Sequence, residues 1–154
     1  MSELLGELAY RNAAQALSQQ EAALNELRSR TGVLLAADAV TASFLGASAI
    51  KSGPLNATGV LALACFVLSI GAALFVLGPR KGMKFSLSGP VVYTSLYAER
   101  DNAEELYRRL AYWLEEFWTD NQDVVDRLYP FFTAAVVLLL LQLVLWAVAL
   151  TARI

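Results

Sequence analysis

The sequence predicts an all-α membrane protein: three transmembrane helices, a cytoplasmic N-terminal helix, and a cytoplasmic amphipathic helix running into the third span. Three observations predict it. Residues 33–50, 57–78 and 131–151 are near-continuous apolar stretches, each close to the roughly twenty residues a helix needs to cross a hydrocarbon core. Asp38 is the only acidic or basic residue inside them. The chain of 154 residues is 57% hydrophobic and 17% charged, well to the apolar side of a soluble domain. Backbone amides cannot stay unpaired in lipid, so such stretches are helices. The residues outside them are too few for an ordinary second globular core, and a single membrane domain, 1–154, is expected.

The first element is a cytoplasmic helix over 1–30. Ser2 is placed to cap it, and Leu4, Leu5, Leu8, Leu17, Leu24 and Leu27 are its main apolar residues. Leu17 and Leu24 stand seven apart, with Ala13 and Leu27 nearly extending the repeat, which calls for a helix partner in this chain or in a second copy. Only Gly32 interrupts the passage into the first span, 33–50, so no hinge is expected there. Ala47-Ser48-Ala49 imitates a signal-peptidase site. The thirty residues before the span carry four glutamates and form no short basic n-region, so cleavage is not expected.

Gly53-Pro54 predicts a tight external turn between the first and second spans. Asn56-Ala57-Thr58 matches a glycosylation sequon but sits at a helix mouth, too close to the membrane to be used. The second span, 57–78, ends at Gly78-Pro79 followed by Arg80 and Lys81, a helix stop with a basic anchor. In the loop that follows, Phe85 and Leu87 alternate with polar residues, Gly89-Pro90 reads as a turn, and Val91-Val92-Tyr93 is β-prone. A short hairpin or an extended loop is expected. Asp101 with Glu104 then reads as a capping-box start. Ala103, Leu106, Tyr107, Leu110, Trp113, Leu114 and Phe117 form one apolar stripe at helical spacing. The stripe continues through Val124, Val125 and Leu128, so the amphipathic helix of the 79–127 region runs on into the third span, 131–151. Pro130 is expected to kink it at the surface, where Trp113, Trp118, Tyr129 and Phe131 mark an interfacial belt.

Ten lysines and arginines flank the spans on one side and only Lys51 and Arg153 on the other. By the positive-inside rule the N-terminus is cytoplasmic and the C-terminus periplasmic or extracellular, in a multi-pass inner (plasma) membrane protein. The cytoplasmic side still carries thirteen acidic residues against those ten, so attraction to a nucleic acid polymer is not supported. The chain has no histidine, which removes the commonest general base and metal ligand. The single Cys65 excludes an intramolecular disulfide. No enzymatic activity, metal or cofactor is expected.

Three groups of residues are singled out. Asp38 lies well inside the first span, with Thr41 and Ser48 near it on the helical wheel. It is either a pore-lining or protonatable group, or a neutral acid hydrogen-bonded to Gln142, Ser69 or Thr58 of another span. Thr58, Ala62, Cys65, Ser69 and Ala72 make a small-residue stripe along the second span, expected to pack against another helix. Arg80, Lys81 and Lys84, with Tyr93 and Tyr97 nearby, form the one locally basic and aromatic stretch. It reads either as the basic stop of the second span or as a site for a phosphate-bearing ligand, with cations on phosphate and rings on a base. Glu104-Glu105, Glu115-Glu116, Asp120, Asp123 and Asp126 are read as the solvated face of the amphipathic helix.

The order of parts resembles small bacterial membrane proteins found with cyclic-nucleotide antiphage systems, the Pycsar transmembrane effectors and the related SLATT effectors. The residues that carry the resemblance are Leu27-Arg28-Ser29-Arg30-Thr31-Gly32-Val33-Leu34-Leu35-Ala36 and Leu77-Gly78-Pro79-Arg80, then Tyr93-Thr94-Ser95-Leu96-Tyr97 leading into Asp101-Asn102-Ala103-Glu104-Glu105-Leu106. The resemblance implies an effector that senses a cyclic nucleotide on its cytoplasmic face and then permeabilises the membrane as a homo-oligomer. Three packed helices leave no aqueous lumen, so any pore forms between copies. The rival expectation is a non-enzymatic scaffold whose cytoplasmic helices bind another protein.

Overall fold

A computed structural model describes residues 2–51, 56–80, 82–97 and 102–151, leaving aside the side chains of residues 2–4 and 50. Helix α1 runs Ser2–Thr41, continues as a π-helical turn over Ala42–Gly46 and ends in α2, Ala47–Lys51. Helices α3 (Ala57–Leu77), α4 (Gly89–Leu96) and α5 (Ala103–Thr151) are the other helices among the described residues. The Ser2 side chain lies outside the described structure, and so do the residues of the Gly53-Pro54 turn and the Asp101 cap. Three helical stretches, Leu5–Ala49, Ala57–Leu77 and Ala103–Thr151, are long and apolar enough to cross a membrane.

The chain divides into two compact units. A polar unit comprises residues 1–25 and 80–126; an apolar unit comprises 26–79 and 127–154. In the polar unit, Ala13 and Leu17 of α1 pack on Leu114 of α5, with Phe85, Leu87 and Trp118 around them. In the apolar unit, Leu34, Ala73 and Ala135 bring α1, α3 and α5 together at one level. Ala49, Ala62, Trp146 and Ala149 bring α2, α3 and α5 together at another. Alanines at these layers let backbones approach closely, which is how helices gain contact in lipid.

A seven-residue repeat underlies the long helices. From residue 13 onward the buried residues of α1 are Ala13, Leu17, Gln20, Leu24, Leu27, Thr31, Leu34 and Asp38, alternating by four and three. On α5, Leu114, Asn121, Leu128, Ala135, Gln142 and Ala149 are all buried at intervals of seven. This is the 3.5-residue period of coiled-coil packing. The leucine repeat noted near the N-terminus is its beginning.

Local chemistry sets the ends. Asn56 caps α3, its Oδ1 accepting from the Gly59 N–H at 2.9 Å and the Thr58 hydroxyl at 2.9 Å. Gly78 has φ −56° and ψ 144°, so α3 stops because Pro79 forces its neighbour out of the helical region, and no left-handed glycine is needed. Asn102 caps α5, accepting from the Glu105 N–H at 3.2 Å.

The expected hairpin or extended loop over Val91-Val92-Tyr93 is overturned. These residues form α4, and no strand occurs among the described residues. Pro90 sits in the first turn, where its fixed φ favours a helix start and its missing N–H costs nothing. Burial of Leu96 supplies the tertiary contact that outweighs β-propensity. Pro130 lies inside α5, which continues through it to Thr151.

Candidate functional site

The polar unit holds a cavity, and its construction starts from Asn121. This side chain is 2% exposed and pairs with the backbone of Lys84 in both directions. Its Nδ2 donates to the Lys84 carbonyl at 2.8 Å and its Oδ1 accepts from the Lys84 N–H at 3.2 Å. The pair satisfies two backbone groups of a segment with no regular structure, and so fixes that segment on α5. Nearby, the Gln20 amide donates to the Trp118 carbonyl at 3.0 Å and to Gln122 Oε1 at 2.9 Å, tying α1 to α5.

With Lys84 held, its ammonium lies 5.0 Å from the centroid of the Phe117 ring, within cation–π range. Trp113, Glu116 and Phe117 stand at i, i+3 and i+4, one face of α5. Together with Lys84, Ser86 and Ser88 they line a cavity of about 530 Å³, with Val91, Val92 and Ser95 of α4 completing the wall. That volume is within the range of about 300–1,000 Å³ usual for small-molecule pockets. It presents two aromatic surfaces, three serines, one ammonium and one carboxylate. The Ser88 hydroxyl makes no capping bond to α4.

Of the basic and aromatic residues singled out in the sequence, only Lys84 lines this cavity. Arg80 is half-buried and is not among its lining residues. Lys81 lies outside the described residues. Tyr93 and Tyr97 are 67% and 49% exposed, with ring centroids 5.4 Å apart and the planes tilted by 51°. Because the segment is a helix, a spacing of four stacks the two tyrosines on one face while Val91, Val92 and Ser95 line the cavity. The sequence reading missed Trp113 and Phe117, absorbed into the apolar stripe, and Asn121. A polar residue at a heptad position was the available signal for Asn121.

A second concavity in the same unit, about 510 Å³, lies along α1 and α5 and is lined by Leu5, Ala9, Ala16, Glu104, Tyr112 and Glu115 among others. At the start of α5, Glu105 receives Arg108 at 2.7 Å and Arg109 at 3.2 Å. These hydrogen bonds, that to Arg108 foremost, hold its carboxyl below the ordinary glutamate range.

In the apolar unit Asp38 is fully buried, and its Oδ2 lies 2.5 Å from Ser69 Oγ. Ser69 Oγ is also 3.1 Å from the Ala135 carbonyl oxygen. Ser69 has one hydroxyl hydrogen. Both contacts are fully satisfied when a neutral Asp38 donates to Ser69 and Ser69 donates to Ala135, a relay across three helices. Thr41 is half-buried; Ser48 is exposed, its hydroxyl donating to the Phe44 carbonyl at 2.8 Å. The wheel that grouped Ser48 with Asp38 assumed an unbroken α-helix. The π turn between them adds one residue to the register, so Gly46 and Ala49 point inward instead.

On α3 the buried face is Gly59, Ala62, Cys65, Ser69, Ala73 and Val76. It keeps Ala62, Cys65 and Ser69 of the expected stripe. Thr58 and Ala72 stand at its edges, half-buried, because the true repeat runs one position later at each end. Gln142 is fully buried on α5, and neither of its amide atoms has a hydrogen-bond partner; the Trp146 indole N–H, one turn on, also lacks one. Among the described residues no His, Cys, Asp or Glu group gathers as a metal centre requires. Comparison with protein-family models, curated proteins and solved structures finds no match to this chain.

Proposed function

We propose that this chain is an inner-membrane effector that binds a cyclic nucleotide in its polar unit and, as a homo-oligomer, permeabilises the membrane. The cavity over Trp113 and Phe117 is the observation that carries the reading. Aromatic faces stack a base, an ammonium holds phosphate, and hydroxyls suit a ribose. Lys84 and Glu116 leave the site near neutral, which favours a ligand with a single negative charge, such as a cyclic mononucleotide, over a di- or triphosphate. The polar unit is cytoplasmic on this reading, supported by the ten-to-two distribution of basic residues about the spans. Conduction runs between copies, since the levels of the apolar unit are filled by Ala62, Ala73, Ala135 and Ala149, none of them solvent-exposed.

Calorimetric titration of the detergent-solubilised chain with a panel of cyclic mono- and dinucleotides tests the binding step. A cyclic mononucleotide should bind, and Lys84→Ala and Phe117→Ala should each weaken it about tenfold or more, one charge-assisted contact or one stacked ring being worth about 1–3 kcal/mol. Absence of binding across the panel would sink the reading. A second reading, a non-enzymatic scaffold, is favoured by the apolar concavity lined by Leu5, Ala9 and Tyr112. Specific recovery of one membrane or cytoplasmic protein, lost on Ala9→Arg, would support it in place of the first.

A further inference from the structure

We infer that the π turn at Ala42–Gly46 is a register switch in the first span, able to re-phase its outer end by one residue. From Ala13 to Asp38 the buried residues of α1 follow the heptad without error. Continued as an α-helix, that phase turns Leu45 and Ser48 toward the bundle. The structure has Gly46 and Ala49 buried there instead, with Leu45 half-buried at the edge of the same cluster and Ser48 outward. One residue of phase has been gained within the π turn, which inserts a single residue into a helix and is frequent at functional sites.

Three observations mark this level as a place where the packing has a second solution. A Cβ added at Gly46 would meet the Trp146 ring at 3.7 Å, ordinary contact, so the tryptophan lies directly over the re-phased turn. The Trp146 N–H and the whole Gln142 amide, on the α5 face packed here, are without partners. In an apolar bundle such groups are strongly penalised. The alternative phase replaces the Ala49 methyl with the Ser48 hydroxyl on that same face, and trades a dry, small-residue contact for a more polar one. Ala49, Ala62 and Ala149 present only methyl groups at this level, so a serine in place of Ala49 adds a single heavy atom to the contact. The Asp38–Ser69–Ala135 layer, below the turn, keeps its register in both phases and acts as the fixed point.

Paired cysteines in lipid bilayers read the register directly, in the full chain with Cys65→Ala. Ala49→Cys with Ala149→Cys reports the phase seen in the structure; Ser48→Cys with Ala149→Cys reports the other. Both pairs should form disulfides on mild oxidation, the first in the larger yield. Deleting Phe44, which is 72% exposed, removes the extra residue and leaves one unbroken helix with the position-49 methyl inward. In that variant the first cross-link should persist and the second should be lost. Absence of the second cross-link in the undeleted chain overturns the inference. So does its survival in the deletion variant, which would mean the thiol reaches across without re-phasing. Loss of the first cross-link on deletion overturns it too, because the turn would then not be an insertion into an α-helix.

Discussion

At the scale of single residues, the buried polar groups do most to define this molecule. Asp38, Ser69 and the Ala135 carbonyl form one relay, and its members differ in what they tolerate. Ser69→Ala leaves a buried carboxyl without its partner and should lower stability by about 1–3 kcal/mol. Asp38→Asn keeps a donor toward Ser69 at nearly the same volume and should cost less than about 1 kcal/mol. Thermal unfolding in detergent or nanodiscs checks both, and equal losses would contradict the relay. Glu105 gives a pH signature outside the membrane. Its folded value lies below the usual range, so its contribution is complete above about pH 4–5 and fades as pH falls through the depressed value. Hydrogen exchange at the start of α5 should therefore be faster in Glu105→Gln at neutral pH, and the difference should vanish in acid. Asp38 stood out in the sequence as a lone carboxylate among apolar residues, and Ser69 was one of three partners it could reach. Asn121 did not stand out, because its value lies in two backbone groups of a segment 37 residues away, which periodicity cannot pair.

At the scale of elements, the long helices were readable because three signals agreed: apolar length, helical stripe, and punctuation at Gly78-Pro79 and near residue 102. The same signals misread α4. Over eight residues, Val91-Val92-Tyr93 satisfies a strand as well as a helix, and burial of Leu96 decided between them. The π turn left no mark in the sequence, and carrying an unbroken helical phase past Thr41 set Ser48 on the buried face, one residue away from Ala49, which occupies it. The α3 start offers a simple check. Asn56→Ala removes the acceptor for the Gly59 N–H and the Thr58 hydroxyl and should destabilise the fold by about 0.5–2 kcal/mol, while Asn56→Ser should recover most of it. Denaturation of the two variants side by side would show this, and an Asn56→Ala variant as stable as the parent would mean lipid headgroups or water do the capping.

At the scale of the whole molecule, the chain combines three helices long and apolar enough to cross a membrane with a polar unit. Topology comes first: reporters fused at the N-terminus or within residues 86–88 should read cytoplasmic, and one after Ile154 external. A cytoplasmic C-terminal reporter would reverse the assignment of sides. The central claim is that a ligand held over Trp113 and Phe117 drives the apolar unit to breach the bilayer. Release of a small fluorescent dye from vesicles containing the purified chain tests it most directly. The account predicts slow release alone, a marked increase when a cyclic mononucleotide is added, and loss of that increase in Lys84→Ala with basal release unchanged. Vesicles that stay sealed at every concentration of a nucleotide shown by calorimetry to bind would contradict it.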